Sequence, residues 1–454
     1  MKAILPRIFI AVIIMSLSFI SCTQQASDQQ SDGETTILVT GDALITLPLS
    51  NHNEPEFLSL IEEIRNVDAA ITNLEMLIHT FKGYPQANSG GTYMTAPPNI
   101  LDELKWAGFD MMGHANNHTY DYGETAILET HEFNKKTGMV LTGSGKDLQT
   151  ARQPGYFQSP DGKISLLSAS STFTAYGKAS PSRPDMHGRP GLNPLTVARK
   201  YTIDRNTADM LIRTAREAGI PVRDPGDNNN FRLLGADLLI GDKYGSVYEV
   251  DQDDLAGNLE AVREAARNSD YVIMSMHSHE GTRADTPPEF LSDFAHACID
   301  NGADIFFVHG PHILKGIEIY KGKPIFYSLG NFVFQNETVE KQPWEFYDRY
   351  GLDDTATPQE AYDRRTRNDT TGFPSRAEYW EAVVPVVKFQ DGVLKEIRIL
   401  PITLLYGEPR GVRGRPLLAD TELSQKILKE MIEISEQFDT KIEIEGNIGY
   451  IKGN

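Results

Sequence analysis

Cysteine is scarce: only Cys22 and Cys298 occur in 454 residues. Two thiols exclude a disulfide scaffold and any cysteine-rich zinc or iron–sulfur site. Positive charge is also short, with 43 Lys and Arg against 63 Asp and Glu, a formal net charge of −20. That balance excludes non-specific nucleic-acid binding, which needs cations to displace counterions from phosphates, and it disfavours adhesion to anionic lipid. Polar residues do not dominate, however. The chain is 40% hydrophobic and 9% aromatic, which excludes a fully disordered protein. Its length suits one large α/β domain or two ordinary ones. With 11 His, metal binding through imidazole and carboxylate stays open.

An apolar run, Ile8–Ile20, is broken only by Ser16 and Ser18 and preceded by Lys2 and Arg7. It is too short to span a bilayer, which takes about 20 residues, but it suits a signal peptide over residues 1–21. Cys22 follows immediately, after Phe19-Ile20-Ser21. This resembles a bacterial lipoprotein signal, in which Cys22 is lipidated and anchors an extracytoplasmic protein to the cell membrane. The alternative is ordinary secretion with cleavage nearby. Residues 22–34, rich in Gln, Ser and Asp, read as a flexible tether. Cys298 is then left as a buried free thiol.

From Thr35 onward one arrangement recurs: a short apolar run, predicted as a buried strand, ends in residues able to hold a metal. Thr36–Thr40 leads into Gly41-Asp42, and Val67–Thr72 into Asn73-Leu74-Glu75. Gly108–Met112 leads into Gly113 to His118, Tyr271–Met276 into His277-Ser278-His279-Glu280, and Ala303–Val308 into His309-Gly310-Pro311-His312. Helical patterns at Glu56–Arg65, Pro98–Ala107, Asp254–Asn268 and Pro288–Asn301 alternate with these runs. Such alternation predicts βαβ units and a largely parallel sheet, whose ligands bind at the carboxyl ends of the strands.

Each cluster alone is weak, since Gly-Asp is usually a turn and Asn116-Asn117-His118 can cap a helix. Together they point to a metal site. Five of the 11 His fall between His277 and His312. Imidazole mixed with carboxylate and amide oxygen suits Mn, Fe or Zn, as one or two divalent ions. Asp42 or Glu75 can bridge two ions, and Asn117 supplies a neutral oxygen. His118 is then free to donate a proton to a leaving group. Two ions about 3.5–4 Å apart would clamp a phosphate-like oxyanion.

Asn73-Leu74-Glu75, Ala115-Asn116-Asn117-His118 with Asp121-Tyr122-Gly123, His309-Gly310-Pro311-His312 and Tyr327-Ser328-Leu329-Gly330-Asn331-Phe332 stand in the order found in CapA-type capsule-synthesis proteins. The chain resembles this family, also called poly-γ-glutamate synthesis proteins, from Ile37 to Phe334. The family is itself similar to calcineurin-like metallophosphoesterases. The resemblance implies a four-layer α/β/β/α sandwich with the metal site at one edge of the paired sheets. It assigns Asp42, Glu75, Asn117, His277, His309 and His312 to the metal and His118 to catalysis. Three positions depart from these patterns. Leu44 stands where phosphoesterases usually carry a His, and Thr72-Asn73-Leu74-Glu75 stands where they carry Gly-Asp-x-x-Asp. The His277 motif lacks the Trp-Gly common in the family, so His279 or Glu280 takes over a role. Asn73, Asn116 and Asn331 are candidates for the substrate side.

The resemblance implies an envelope lipoprotein acting in synthesis, transfer or export of an anionic polymer such as poly-γ-glutamate, beside membrane capsule-synthesis proteins. Two other readings stay open: a non-catalytic polymer-binding or scaffold subunit, and a secreted metallophosphoesterase unrelated to capsule. The family domain spans 35–405, with insertions near 181–248 and 335–376. The first insertion is expected to hold a helix near Thr207–Ala218 and a β-pair, and the second to form a polar lid or surface loop. Hairpins are predicted around Lys321-Gly322-Lys323 and at Asp391-Gly392. Residues 406–454 form an extension whose helix, Leu423–Ser435, packs on the domain. Arg410 and Arg413, with Arg415, lie in a Gly/Pro-rich loop. They either bind substrate carboxylate or phosphate or pair with local acids such as Glu408 and Asp420.

Overall fold

A computed structural model describes residues 33–225, 229–281 and 286–453. The expected leader, Cys22 and nearly all of the tether lie outside them. No described helix is long and apolar enough to cross a membrane.

The apolar runs form a mixed α/β structure built on two large sheets. In the ten-stranded sheet, Glu34–Leu44 lies between Ala69–Leu74, its parallel neighbour, and Glu381–Gln390, which runs antiparallel. Met111–Gly113 and Val140–Thr142 extend the parallel side. In the six-stranded sheet, Gly162–Ser170, Tyr271–His277 and Ile305–His309 run parallel in adjacent positions. Strands in such sheets are buried on both faces, which is why they read as unbroken apolar runs.

Side-chain alternation then divides the core. Ile37, Val39, Ala69 and Ile71 of the first sheet share one cluster with Ile164, Ile273, Ile305 and Phe307 of the second. Leu38 and Ala70, pointing the other way, pack on Leu60 and Ile61 of helix Pro55–Arg65 and on Leu101 and Leu104 of helix Ile100–Ala107. Val272, Met274 and Phe306 of the second sheet pack on Val262 of helix Gln252–Asn268 and Phe294 of helix Glu289–Asp300. These helices start and end within two residues of the expected positions.

Three regions differ from expectation. Residues 181–248 hold more than the expected β-pair. The antiparallel strands Asn230–Leu233 and Ala236–Ile240 are joined by Gly245–Val250 and Val197–Ile203 into a four-stranded sheet. Phe231 packs against Ala208 and Ile212 of helix Arg205–Glu217. Strand Val197–Ile203 was hidden because VARKYTI is polar and at most half-buried. In the second insertion, helices Trp344–Arg349 and Pro358–Thr366 bury Phe346 and Tyr362 against Tyr93 and Tyr122. The extension supplies helix Thr421–Ser435 but also edge strands Glu443–Glu445 and Ile448–Lys452 of the ten-stranded sheet. The hairpin at Asp391-Gly392 turns with φ of 51° and 77°, the positive pair that a tight two-residue turn needs.

Candidate metal centre

The strand Glu34–Leu44 runs past Thr40, so Asp42 lies inside it, not after it. Val39 pairs with Ile71 and Asp42 with Asn73, three steps on one strand against two on its neighbour. This extra residue is a bulge, and it turns Asp42 from the side of Leu38 to the side of Val39, toward the second sheet. A second shift follows: Asp42 pairs with Asn331 and Ala43 with Val333. Here the extra residue is on the neighbouring strand, and Leu44 packs in the outer cluster. The crossing demands a glycine, because a Cβ on Gly41 would sit 1.9 Å from the Gly330 carbonyl oxygen.

On the second sheet His277 and His309 are register partners at the last positions of their strands. The two sheets therefore bring their ligand residues together at one end. Asp42 Oδ1 is 3.4 Å from His309 Nδ1 and 3.9 Å from His277 Nδ1, and Oδ2 is 3.4 Å from His312 Nδ1. Glu75 Oε1 lies 3.8 Å from His277 Nε2, 3.9 Å from His312 Nε2 and 4.0 Å from His118 Nε2. Three overlapping groups result: Asp42 with His277 and His309, Glu75 with His277 and His279, and Asp42 with Glu75 and His312.

Supporting contacts orient these rings. Asn331 Oδ1, an acceptor, lies 2.8 Å from His312 Nδ1, so that nitrogen carries the proton and Nε2 is left with its lone pair. Ser275 Oγ engages His309 Nε2 at 2.7 Å. His312 adopts φ 59°, a backbone state that costs about 1–3 kcal/mol for a non-glycine residue and clusters at functional sites. His118 Nδ1 donates to Asp121 Oδ2 at 2.7 Å. Asp121 as this orienting acid was not singled out in the sequence, although its position three residues after His118 is a usable signal.

Electrostatics separate the two carboxylates. Burial alone would raise Asp42, but hydrogen bonds from His309 and His312 outweigh it and hold the carboxyl well below its ordinary range. Burial, with the Asp42 charge added, pushes Glu75 well above it. Among the described residues, both Glu75 oxygens are buried and have no hydrogen-bond donor. Burial also drives His277 well below the usual imidazole value, aided by the neighbouring His279 and His309, and brings His279 down to about 3. Neutral imidazoles around an unsatisfied carboxylate are a donor set that fits a divalent cation.

A cavity of about 790 Å³ opens beside this cluster, lined among others by Leu44, Asn117, His118, His279 and His312. Asn117 Oδ1 is buried without a partner among the described residues, as suits a neutral ligand oxygen. Of the remaining candidates, Asn73, Asn116, Asn331, Arg410 and Arg413 are not among the residues lining the cavity. Asn73 donates to Asp42 Oδ1 at 2.8 Å, and Asn116 to the Leu74 carbonyl at 2.8 Å. The three asparagines thus hold strand ends and ligands in place. Glu280 stays out of the three ligand groups. Its Oε2 accepts from Ser171, Thr172 and Ser278 at 2.6–2.8 Å. Arg410 donates to Asp363 and Asp369, and Arg413 to Asp369 and Glu337. They pair with acids as one sequence reading held, but with acids of the second insertion. Asp420 caps helix Thr421–Ser435 instead.

The profile of the family described as Bacterial capsule synthesis protein PGA_cap matches residues 36–336. The chain is 34% identical to protein y4sH of Sinorhizobium fredii, over 92% of this chain and 93% of that one. It is 24% identical to the capsule biosynthesis protein CapA of Bacillus anthracis, over 72% of this chain and 66% of the other. To the PGA biosynthesis protein CapA of Bacillus subtilis it is 27% identical, over 60% and 54%.

Proposed function

The chain belongs to the bacterial capsule synthesis family PGA_cap, and on that footing we propose that it acts through a divalent metal centre in synthesis, transfer or export of an anionic polymer such as poly-γ-glutamate. The observation that carries this reading is Glu75, a buried carboxylate with no donor to either oxygen among the described residues and three imidazole nitrogens within 4.0 Å of Oε1. Burying such a group without compensation costs several kcal/mol, on the order that desolvation of an ion requires, and a cation removes that cost. Asp42, Glu75, His277, His309 and His312 would hold one or two ions of the Mn, Fe or Zn type, with Asn117 and His279 at the cavity side.

A bound divalent ion supplies Lewis-acid polarisation of an oxygen on the ligand. The protein's own groups do the rest. Asp121 fixes the His118 tautomer, with the proton on Nδ1, so that Nε2 at the cavity can hold or release a proton to a leaving group. Asn331 and Ser275 keep the His312 and His309 rings turned toward Asp42 and Glu75. The succession of helix pair, ten-stranded sheet, six-stranded sheet and helix pair supports the four-layer arrangement. Lipidation at Cys22 would anchor the protein outside the cell membrane. A Cys22→Ser protein should then leave the membrane fraction, and unchanged retention there rejects the anchor.

One observation favours a second reading, a binding or scaffold subunit without turnover: Leu44, an apolar residue, lines the cavity. Metal analysis of the purified mature protein after reconstitution with manganese tests the main proposal. Retention below about a tenth of an equivalent rejects a metal centre, since structural or catalytic sites bind far more tightly than that. If metal is retained, His118→Ala should keep it and lose hydrolysis of phosphoester or γ-glutamyl substrates. Retention of metal with no hydrolysis by the unaltered protein favours the scaffold.

A further inference from the structure

Three permanently charged cations line the cavity: Lys315, Arg365 and Arg376. Arg376 is neutralised by Glu378 and lies over the Tyr379 ring. Lys315 Nζ donates to the Gly281 carbonyl at 2.6 Å. Arg365 differs. Among the described residues it forms no ion pair, and its Nη1 donates to a neutral acceptor, Thr92 Oγ1, at 2.5 Å. Thr92 in turn donates to the Asn336 carbonyl, so the hydroxyl is satisfied and leaves the guanidinium charge uncompensated. This is unexpected in a chain with 63 acidic residues. The nearest acids on the same helix and its end, Asp363 and Asp369, are taken by Arg410 and Arg413.

The ground between Arg365 and the metal cluster is kept bare. A Cβ on Gly91 would lie 3.2 Å from Arg365 Nη2, and one on Gly90 would lie 4.0 Å from Asn117 Nδ2. Two successive glycines therefore form a strip of open backbone from the guanidinium to the amide beside His118. A side chain at Gly91 would crowd the guanidinium, whereas a Cβ at Gly90 would meet the amide only at ordinary contact distance.

We propose that Arg365 is the anion-binding residue of this cavity, taking a carboxylate or phosphate oxyanion of the ligand whose other end reaches the metal centre. The inference rests on the metal-centre reading for the position of the reacting end. Arg carries five donors in a planar fork, of which one is used here, and the fork matches either oxyanion. Arg410 and Arg413, which bind Asp363, Asp369 and Glu337, are positioning residues that hold the helix presenting Arg365. The second insertion thus supplies recognition, and the strand ends supply the metal ligands.

The test is calorimetric titration of the mature protein, both manganese-loaded and metal-stripped, with inorganic phosphate and separately with glutarate. The unaltered protein should bind at least one probe. R365Q should weaken that binding about tenfold or more, as loss of a charge-assisted fork does, with unchanged manganese content and melting temperature. R365K, which keeps the charge without the fork, should fall between. Binding of phosphate alone assigns the subsite to phosphate, and binding of glutarate alone assigns it to carboxylate. Equal affinity of R365Q and the unaltered protein overturns the inference, as does failure of the unaltered protein to bind either probe. Anion binding that depends on Arg365 in a protein retaining no manganese upholds the inference while rejecting the metal centre.

Discussion

The Gly310 backbone N–H donates to Asp42 Oδ2 at 2.9 Å, across 268 residues of sequence. This bond ties the bulged strand of the ten-stranded sheet to the turn after Ile305–His309 in the six-stranded sheet. Gly310 adopts φ 107°, and a Cβ there would sit 3.1 Å from the His277 ring, so the turn needs glycine both for its backbone and for close approach. Asp42→Asn should strip one acceptor from either Gly310 or Asn73. Denaturant unfolding of the metal-free protein should show a loss of about 1–3 kcal/mol, the cost of an unsatisfied buried donor. Metal retention should fall in parallel.

Asp121 receives the His118 Nδ1 proton and also the Met94 backbone N–H at 2.8 Å. Asp121→Asn should keep the metal and lower hydrolysis by about 10²–10⁴, the range for a mis-set proton-transfer group. The double variant with His118→Ala should be no slower than His118→Ala alone, because both changes remove one function. Additive losses would mean that Asp121 acts on something other than His118.

The clamp of Arg410 and Arg413 on Glu337 and Asp369 joins the second insertion to the loop after the hairpin. Arg413 is 5% exposed, so Glu337→Gln leaves a buried charge half-paired and should cost about 3–5 kcal/mol. Burial would raise Asp369, but hydrogen bonds from Arg413 and Arg410 prevail and bring it down to about 2. A carboxyl depressed in the folded state contributes stability above its unfolded value, near 4, and loses it as pH falls toward 2. Limited proteolysis within 335–376 should therefore accelerate between about pH 4 and 2, and an Asp369→Asn protein should be cut readily at pH 7.

His114 sits between Ser144 Oγ, 2.7 Å from Nδ1, and the Met76 carbonyl, 2.9 Å from Nε2. Burial, with the nearby His131, brings its pKa down to about 3. A buried neutral His favours the fold fully above the unfolded value of about 6.5, and that contribution drains away as pH falls from there toward 3. Unfolding free energy measured between pH 6.5 and 4 should drop more steeply in the unaltered protein than in His114→Asn, by up to about 1.4 kcal/mol per pH unit. Parallel slopes would show that His114 takes up its proton in the folded state.

Much of this was legible in the sequence because it is local. Apolar runs ending in Asp, Glu, Asn or His marked the strand ends, and the helical patterns at Pro98–Ala107 and Pro288–Asn301 became helices Ile100–Ala107 and Glu289–Asp300. Five clusters at five strand ends pointed to a metal site, and residues of four of them, Asp42, Glu75, His277, His279, His309 and His312, meet in groups that could hold an ion. The roles of the polar neighbours were not legible. Asn73 and Asn331 looked like substrate contacts, but cross-strand register sets them against Asp42 and His312. Glu280 was a candidate for a role beside His279, and the partners of its carboxylate, Ser171 and Thr172, lie more than a hundred residues earlier.

By itself the sequence determined the chemistry available: imidazole and carboxylate without thiolate, at the carboxyl ends of buried strands, in an acidic chain. Those properties depend on residue type and short-range pattern, which the chain carries locally. Tertiary structure alone decided which atoms face which. One extra residue in Glu34–Leu44 turned Asp42 toward the second sheet, and burial raised Glu75 while the histidines lowered Asp42. Among the described residues it also left Arg365, which lines the cavity, without an ion pair. Orientation, register and desolvation arise only when distant strands pack, and they separate ligand from support.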